Sequence, residues 1–261
     1  MLARFMTSCV VSALALSTAG AAIGAEAEKG TVSRVYNDTV APTDQAAYET
    51  GVKAFNKCLA DHGFKYTWTA WGHETGNTYL YSYVTGPHAW ADFDKMQESG
   101  MACDMAWRTN ANPHLKGEVS AFMELQPDLS RMPKDTSAKP FLMNVVFFTL
   151  KPGREANEAW TGGIKKIVAA AEKANWPNNF TIQRVRSGGK DFPDYVLTSQ
   201  YKTWADFGGN TNSGIWKMVE GVYGKAETDA LRKTLNDATV DINSHLDRYN
   251  EELTYTAPAA K

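Results

Sequence analysis

The sequence predicts an α+β protein built from two similar units, each running β-α-β-β-α-β. Three observations lead there. Trp90-Ala91-Asp92-Phe93 with Ser99-Gly100 recurs as Trp204-Ala205-Asp206-Phe207 with Ser213-Gly214, at one offset of 114 positions (204 − 90). Six identities that include tryptophan mark a repeated structural unit. The match continues upstream: Val35, Thr39 and Pro42 align with Val145, Thr149 and Pro152, and Tyr66-Thr67 aligns with Phe180-Thr181. Between the matched blocks, apolar residues alternate with period two in some stretches and recur with helical spacing in others.

In the first unit, Thr31 to Tyr36 reads as a strand. Thr43-Asp44 offers a helix start, and Tyr48, Val52, Phe55 and Leu59 follow at helical spacing until His62-Gly63. Phe64 to Trp71 and Thr78 to Val84, rich in aromatic and β-branched residues, are strands joined by the Gly72 to Asn77 turn. A second helix begins near His88 after Gly86-Pro87, and Gly117 to Leu125 is the fourth strand. In the second unit the strands are Pro140 to Leu150, Asn179 to Arg186, Tyr195 to Tyr201 and a polar segment between Ile242 and Leu253. Its helices are Glu155 to Ala174, one capped by Thr203, and an added stretch from Lys225 to Leu235. The expected organisation is a signal peptide over 1–25, units over 31–126 and 140–253, a linker over 127–139, and a tail over 254–261.

Arg4, the apolar run Cys9 to Leu16 and the small residues before Ala25 have the form of a secretory signal. That run is too short to span a membrane, and no stable membrane insertion is expected after cleavage. The expected location is periplasmic or secreted. Without residues 1–25 the chain holds 26 basic (27 − 1) and 29 acidic residues, a balance that argues against a nucleic-acid partner. The same cleavage leaves Cys58 and Cys103. In an exported protein two cysteines pair as a disulfide or pack as two buried thiols.

The β-α-β-β-α-β order is that of the ferredoxin-like unit, with a four-stranded antiparallel sheet and both helices on one face. Two such sheets in one chain can cover each other as an intrachain pseudo-dimeric barrel. On this element order and duplication, over Thr31 to Leu253, the chain resembles the dimeric α/β-barrel superfamily, nearest the antibiotic-biosynthesis-monooxygenase and NIPSNAP-like groups. The resemblance implies a cofactor-independent, oxygen-using activity. It also points to Asn144, on the first strand of the second unit, as a polar group beside a substrate. A haem, as in chlorite-dismutase relatives, would need an axial histidine on a helix, and none stands out.

Pleating places Tyr79, Tyr81 and Tyr83 on one strand face, Tyr66 and Trp68 on another, and Tyr195 and Tyr201 on a third. Arg184 lies on the neighbouring strand. If these faces point away from the helices, they line a cavity between the sheets that suits a small apolar or aromatic ligand; otherwise they are packing. The histidines show no metal-ligand spacing: His73 sits beside Glu74, and His245 has only Asp247, two residues on. No metal and no cofactor are expected. The sequence thus offers a small-molecule-binding protein, with a monooxygenase-like enzyme or a structural module with a filled core as alternatives. The repeated tryptophan blocks read as helix starts whose Trp and Phe share a buried stripe.

Overall fold

The computed structural model describes residues 30–133, 141–212 and 214–258. The segment expected to be a signal peptide, residues 134–139 of the expected linker, Ser213 of the repeated block and the last three residues lie outside the described residues.

Eight strands close into one antiparallel barrel. They are β1 (Val32–Val40), β2 (Trp68–His73), β3 (Leu80–Thr85), β4 (Leu115–Leu125), β5 (Leu142–Leu150), β6 (Thr181–Ser187), β7 (Tyr195–Tyr201) and β8 (Thr239–Tyr255). Around the barrel the order is β1-β3-β2-β8-β5-β7-β6-β4. Each half therefore contributes four consecutive staves, β4-β1-β3-β2 and β8-β5-β7-β6. Two seams join the halves. At one, His73 of β2 pairs with Asp247 of β8; at the other, Glu124 of β4 pairs with Arg184 of β6. Closure leaves no unpaired strand edge along the sheet, the usual liability of an open β-layer.

The helices cover the outside. Helix α1 (Gln45–Asp61) lays Tyr48, Val52 and Leu59 on the first half. These residues recur at i, i+4 and i+11, so they share one face of a 3.6-residue helix. Gly51 lets α1 approach the chain at Asn110, at the end of α3 (Asp104–Asn110); a Cβ there would sit 2.1 Å from the Asn110 carbonyl oxygen. On the second half, α4 (Arg154–Lys173) buries Trp160, Ile164, Ile167 and Ala171. Helices α6 (Ile215–Tyr223) and α7 (Lys225–Ala238) pack beside it through Val219, Leu231 and Leu235. The α7 segment was anticipated in the sequence; α6 and α3 were not.

The repeated blocks open corresponding helices, α2 (Trp90–Gly100) and α5 (Trp204–Asn212). Thr203 Oγ1 accepts the Asp206 amide at 3.0 Å, the cap expected from sequence. The buried stripe is corrected: Trp90 and Trp204 are 48% and 50% exposed. Each ring lies along a strand end, Trp90 against Phe122 and Trp204 against Phe141, so only one side of each indole is covered. The start of the expected linker is also packed structure. Leu129 is buried in the second-half core, Ser130 Oγ accepts the Ile182 amide, and Arg131 bridges Phe180.

The two barrel faces are sorted by alternation, but not in the direction expected. The middle of the barrel interior is filled by Val35, Trp71, Met123, Met143, Val145 and Val196. Val84 packs with them rather than under the helices. Tyr81 and Tyr83 turn outward into the layer under α1, with Tyr48 and Val52. Hydroxyl-bearing rings settle there because polar partners wait on that side. Tyr48 donates to Asp38 Oδ2 at 2.5 Å, the Tyr48 and Tyr83 hydroxyls lie 2.8 Å apart, and Tyr81 donates to Glu49 at 2.7 Å. Since Tyr48 has one proton and gives it to Asp38, Tyr83 is the donor between the two phenols.

Candidate functional site

None of the nine residues offered from sequence faces the barrel interior. Tyr195 stacks on Trp160 of α4 with centroids 4.4 Å apart and donates to Asn157. Tyr201 meets Phe207 of α5, and Trp68 stacks on Phe55 of α1. Asn144 lies opposite Ser199 and Leu246, on the face away from Met143 and Val145. Arg184 is exposed and pairs with Tyr195 across the strands. Tyr79 is exposed on the surface. Tyr66 does border a cleft of about 400 Å³, with Lys65, Lys95 and Glu98, but that cleft opens on the outer surface. The aromatic faces are helix-packing core.

The interior holds a different constellation, near the end of the barrel where β2 finishes and β8 is entering the seam. His73 is the last residue of β2, and Asp247 is its cross-strand partner on β8. His245 precedes Asp247 by two positions, so pleating points both inward. The two imidazoles stack with centroids 4.0 Å apart. Both Nε2 atoms converge on Asp247 Oδ1, His245 at 3.2 Å and His73 at 3.5 Å. Neither approach has hydrogen-bond geometry, and Oδ1 is buried without a hydrogen-bond partner. The Asp247 side chain is 1% exposed, His73 6% and His245 15%.

Two further polar groups adjoin. Ser82 Oγ on β3 lies 3.0 Å from His73 Nε2, and it donates to Asn37 Oδ1 of β1 at 2.8 Å. Phe147 of β5 forms the apolar wall, with its ring 5.2 Å from that of His245. Towards the barrel end the strands become accessible: Val119 on β4, and Asp241 and Asn243 on β8, are exposed. His245 thus lies nearer the accessible barrel end, and Asp247 is one step deeper.

Burial pushes the His73 imidazole down to about 4, against the opposing pull of the Asp247 charge; His245 adds to the lowering. His73 is therefore neutral at pH 7, and its contact with Asp247 is not an ion pair. Nor is the set a Ser–His–Asp relay. A relay puts hydroxyl and carboxylate on opposite ring nitrogens. Here Ser82 and Asp247 both approach Nε2. What the geometry offers is two imidazole nitrogens and one carboxylate oxygen at one point, backed by a hydroxyl and an amide.

A second three-ligand grouping, Cys58, His62 and Cys103, is closed to thiolate chemistry because the sulfurs are joined as a disulfide, with Cα atoms 5.8 Å apart. The chain turns at Met101–Cys103, after α2, and this brings Cys103 to the end of α1. A haem does not fit the described histidines. His62 caps α1 beside the disulfide, His88 bridges Val32, His114 sits in a short 3₁₀ turn, and His73 and His245 are on strands.

No family model and no curated protein matches the chain in sequence. Solved structures match it in fold. A putative monooxygenase from Fusobacterium nucleatum superposes with a TM-score of 0.58 at 14% identity, covering 88% of this chain and 95% of that one. An anthrone oxidase-like protein gives 0.56 at 9% identity, covering 90% and 98%. A mutant chlorite dismutase from Candidatus Nitrospira defluvii gives 0.52 at 11%, covering 86% and 93%. At these identities the likeness is one of fold: this chain has the barrel architecture found in putative monooxygenases and chlorite dismutase.

Proposed function

We propose that the chain is an oxygen-using, monooxygenase-like enzyme acting on a small apolar or aromatic molecule admitted at the accessible barrel end. The observation that carries this is the convergence of His73, His245 and Asp247 near that end. Burying a carboxylate without full hydrogen bonding is costly, and a purely structural core gains nothing from it. The fold neighbours named as putative monooxygenases and as anthrone oxidase-like support the reaction class. The likeness of the two strand sets supports a duplicated ferredoxin-like origin. The Cys58–Cys103 bridge and the signal-like first 25 residues support export to the periplasm or beyond.

In this reading the barrel end beside Phe147 and His245, above the packed interior, receives the flat body of the substrate. His245, the more accessible imidazole, takes a proton from a phenolic or activated C–H group, and the electron-rich anion so formed reduces O2, one oxygen atom replacing two hydrogens in the product and the other leaving as water. The test is oxygen uptake by purified protein with anthrone and a panel of hydroxyaromatics. Wild type should consume oxygen with at least one of them, and His245→Ala should lose about 10²-fold or more, the usual scale of a lost acid–base group. No uptake and no binding across the panel would leave the structural-module reading in its place.

A further inference from the structure

We propose that His73 Nε2, His245 Nε2 and Asp247 Oδ1 form a binding site for one divalent transition-metal ion. Three features of the cluster meet the requirement. The donor set is two imidazoles and one carboxylate, which suits Zn²⁺, Fe²⁺ or Co²⁺ and disfavours the all-oxygen preference of Mg²⁺ and Ca²⁺. The three ligand atoms lie within 4.8 Å of one another. The 3.2 Å from Oδ1 to His245 Nε2 falls within the spacing of atoms sharing an ion, and the 3.5 Å to His73 Nε2 lies just above it. Bonds of about 2.1 Å put neighbouring ligands about 3.0–3.4 Å apart in octahedral or tetrahedral geometry.

The orphaned oxygen is the independent sign. Asp247 Oδ1 is buried and faces two nitrogens, yet it accepts no hydrogen bond. A carboxylate selected for packing would be turned to receive an N–H. One selected as a ligand needs its lone pair aimed at the space between the rings. Ser82 Oγ, itself held by Asn37, lies 3.0 Å from His73 Nε2, the same nitrogen that would ligate, so it holds the ring before loading and gives way to the ion. Three protein ligands leave open positions on the ion, and the accessible barrel end lies beside His245. A neutral imidazole carries its single proton on Nδ1 when Nε2 coordinates, so loading moves that proton away from Ser82.

Only the use made of the ion rests on the oxygen-using reading; with it bound, His245 Nε2 is occupied and is not the base of that reading, and the chemistry would not be cofactor-independent. Metal-stripped, full-length protein is titrated with Co²⁺, followed by visible absorption and calorimetry, and then with Zn²⁺ followed by thermal shift. One equivalent should bind, with a rise in Tm. Binding should fall about 100-fold or more in His245→Ala and Asp247→Ala, and persist in His62→Ala and in Ser82→Ala, which removes a competitor for His73 Nε2. His245→Gln serves where the buried Asp247 variant fails to fold. No stoichiometric binding by folded wild type, or binding unchanged in the folded His245 variants, overturns the site. Oxygen uptake by metal-free protein, undiminished by chelator, would remove the ion while sparing the enzyme reading. Tight binding with no oxygen uptake would do the reverse.

Discussion

Tyr48 Oη lies 2.5 Å from Asp38 Oδ2, in a layer where both side chains are almost wholly buried. It joins α1 to β1 through a carboxyl group that has no water to turn to. Replacing Tyr48 by Phe keeps the ring contacts and removes the donor, so it should cost about 1–3 kcal/mol, the penalty of a buried group left unpaired. Urea unfolding of the Tyr48→Phe variant measures it. A loss below about 0.5 kcal/mol would show the contact to be dispensable.

Asp38 also sets a pH dependence. Burial pushes its carboxyl up to about 7; the Tyr48 hydrogen bond works against this, and the Glu118 charge adds to it. The folded form therefore keeps the proton where the unfolded chain has released it. Between pH 4 and 7 the native state binds more protons than the unfolded one, so this group's contribution to stability is full near pH 4 and is lost as pH rises through 7. Comparing urea midpoints of wild type and Asp38→Asn from pH 4 to 8 isolates the effect. The difference between them should change across that window and level off above it.

Gly51 should tolerate no side chain. A Cβ would fall 2.1 Å from the Asn110 carbonyl oxygen and 2.7 Å from the Ala111 nitrogen, both backbone atoms that cannot swing aside. Gly51→Ala should destabilise by about 1–3 kcal/mol, as overpacking does, although alanine is the better helix former. A neutral or stabilising result by thermal melting would mean that α1 and the chain end at Asn110 can separate freely.

The Cys58–Cys103 bridge closes a segment with a sequence separation of 45. Protein denatured without reductant should titrate no thiols from this pair. The Cys58→Ala, Cys103→Ala double variant should lose about 2–4 kcal/mol, the usual range for a native bridge. Two titratable thiols in material from an oxidising compartment would contradict the pairing.

Much of the element order could be read from the chain because it rests on local signals. Tyr195–Tyr201 is β7 as expected, and Lys225 begins α7. The expected length of β8 was short, because its first residues are polar and exposed and are held by pairing with β5. Alternation sorted Tyr79, Tyr81 and Tyr83 onto one face. It carries no label for which face a helix will cover, and that depended on Asp38 lying across the layer. The site was half visible. His245 and Asp247, two apart on a strand, must share a face, but His73 stands 172 positions away (245 − 73). Barrel closure alone brings it to them, so no ligand spacing along the chain could reveal it.

The two seams of the barrel are unequal. Where β2 meets β8, the inward positions opposite Met143 and Val145 are Asp247 and His245. In the other half, the inward positions opposite Ser33 and Val35 of β1 are Met123 and Ala121. There Gly188 passes close to Ala121 and Phe192: a Cβ at Gly188 would fall 2.9 Å from the Ala121 Cβ and 2.6 Å from the Phe192 ring. Two identical subunits would have to repeat any substitution at both junctions. One continuous chain is free of that constraint: it can keep chemistry on one side and use the other as an apolar bolt. Any site built on His73, His245 and Asp247 then numbers one per barrel.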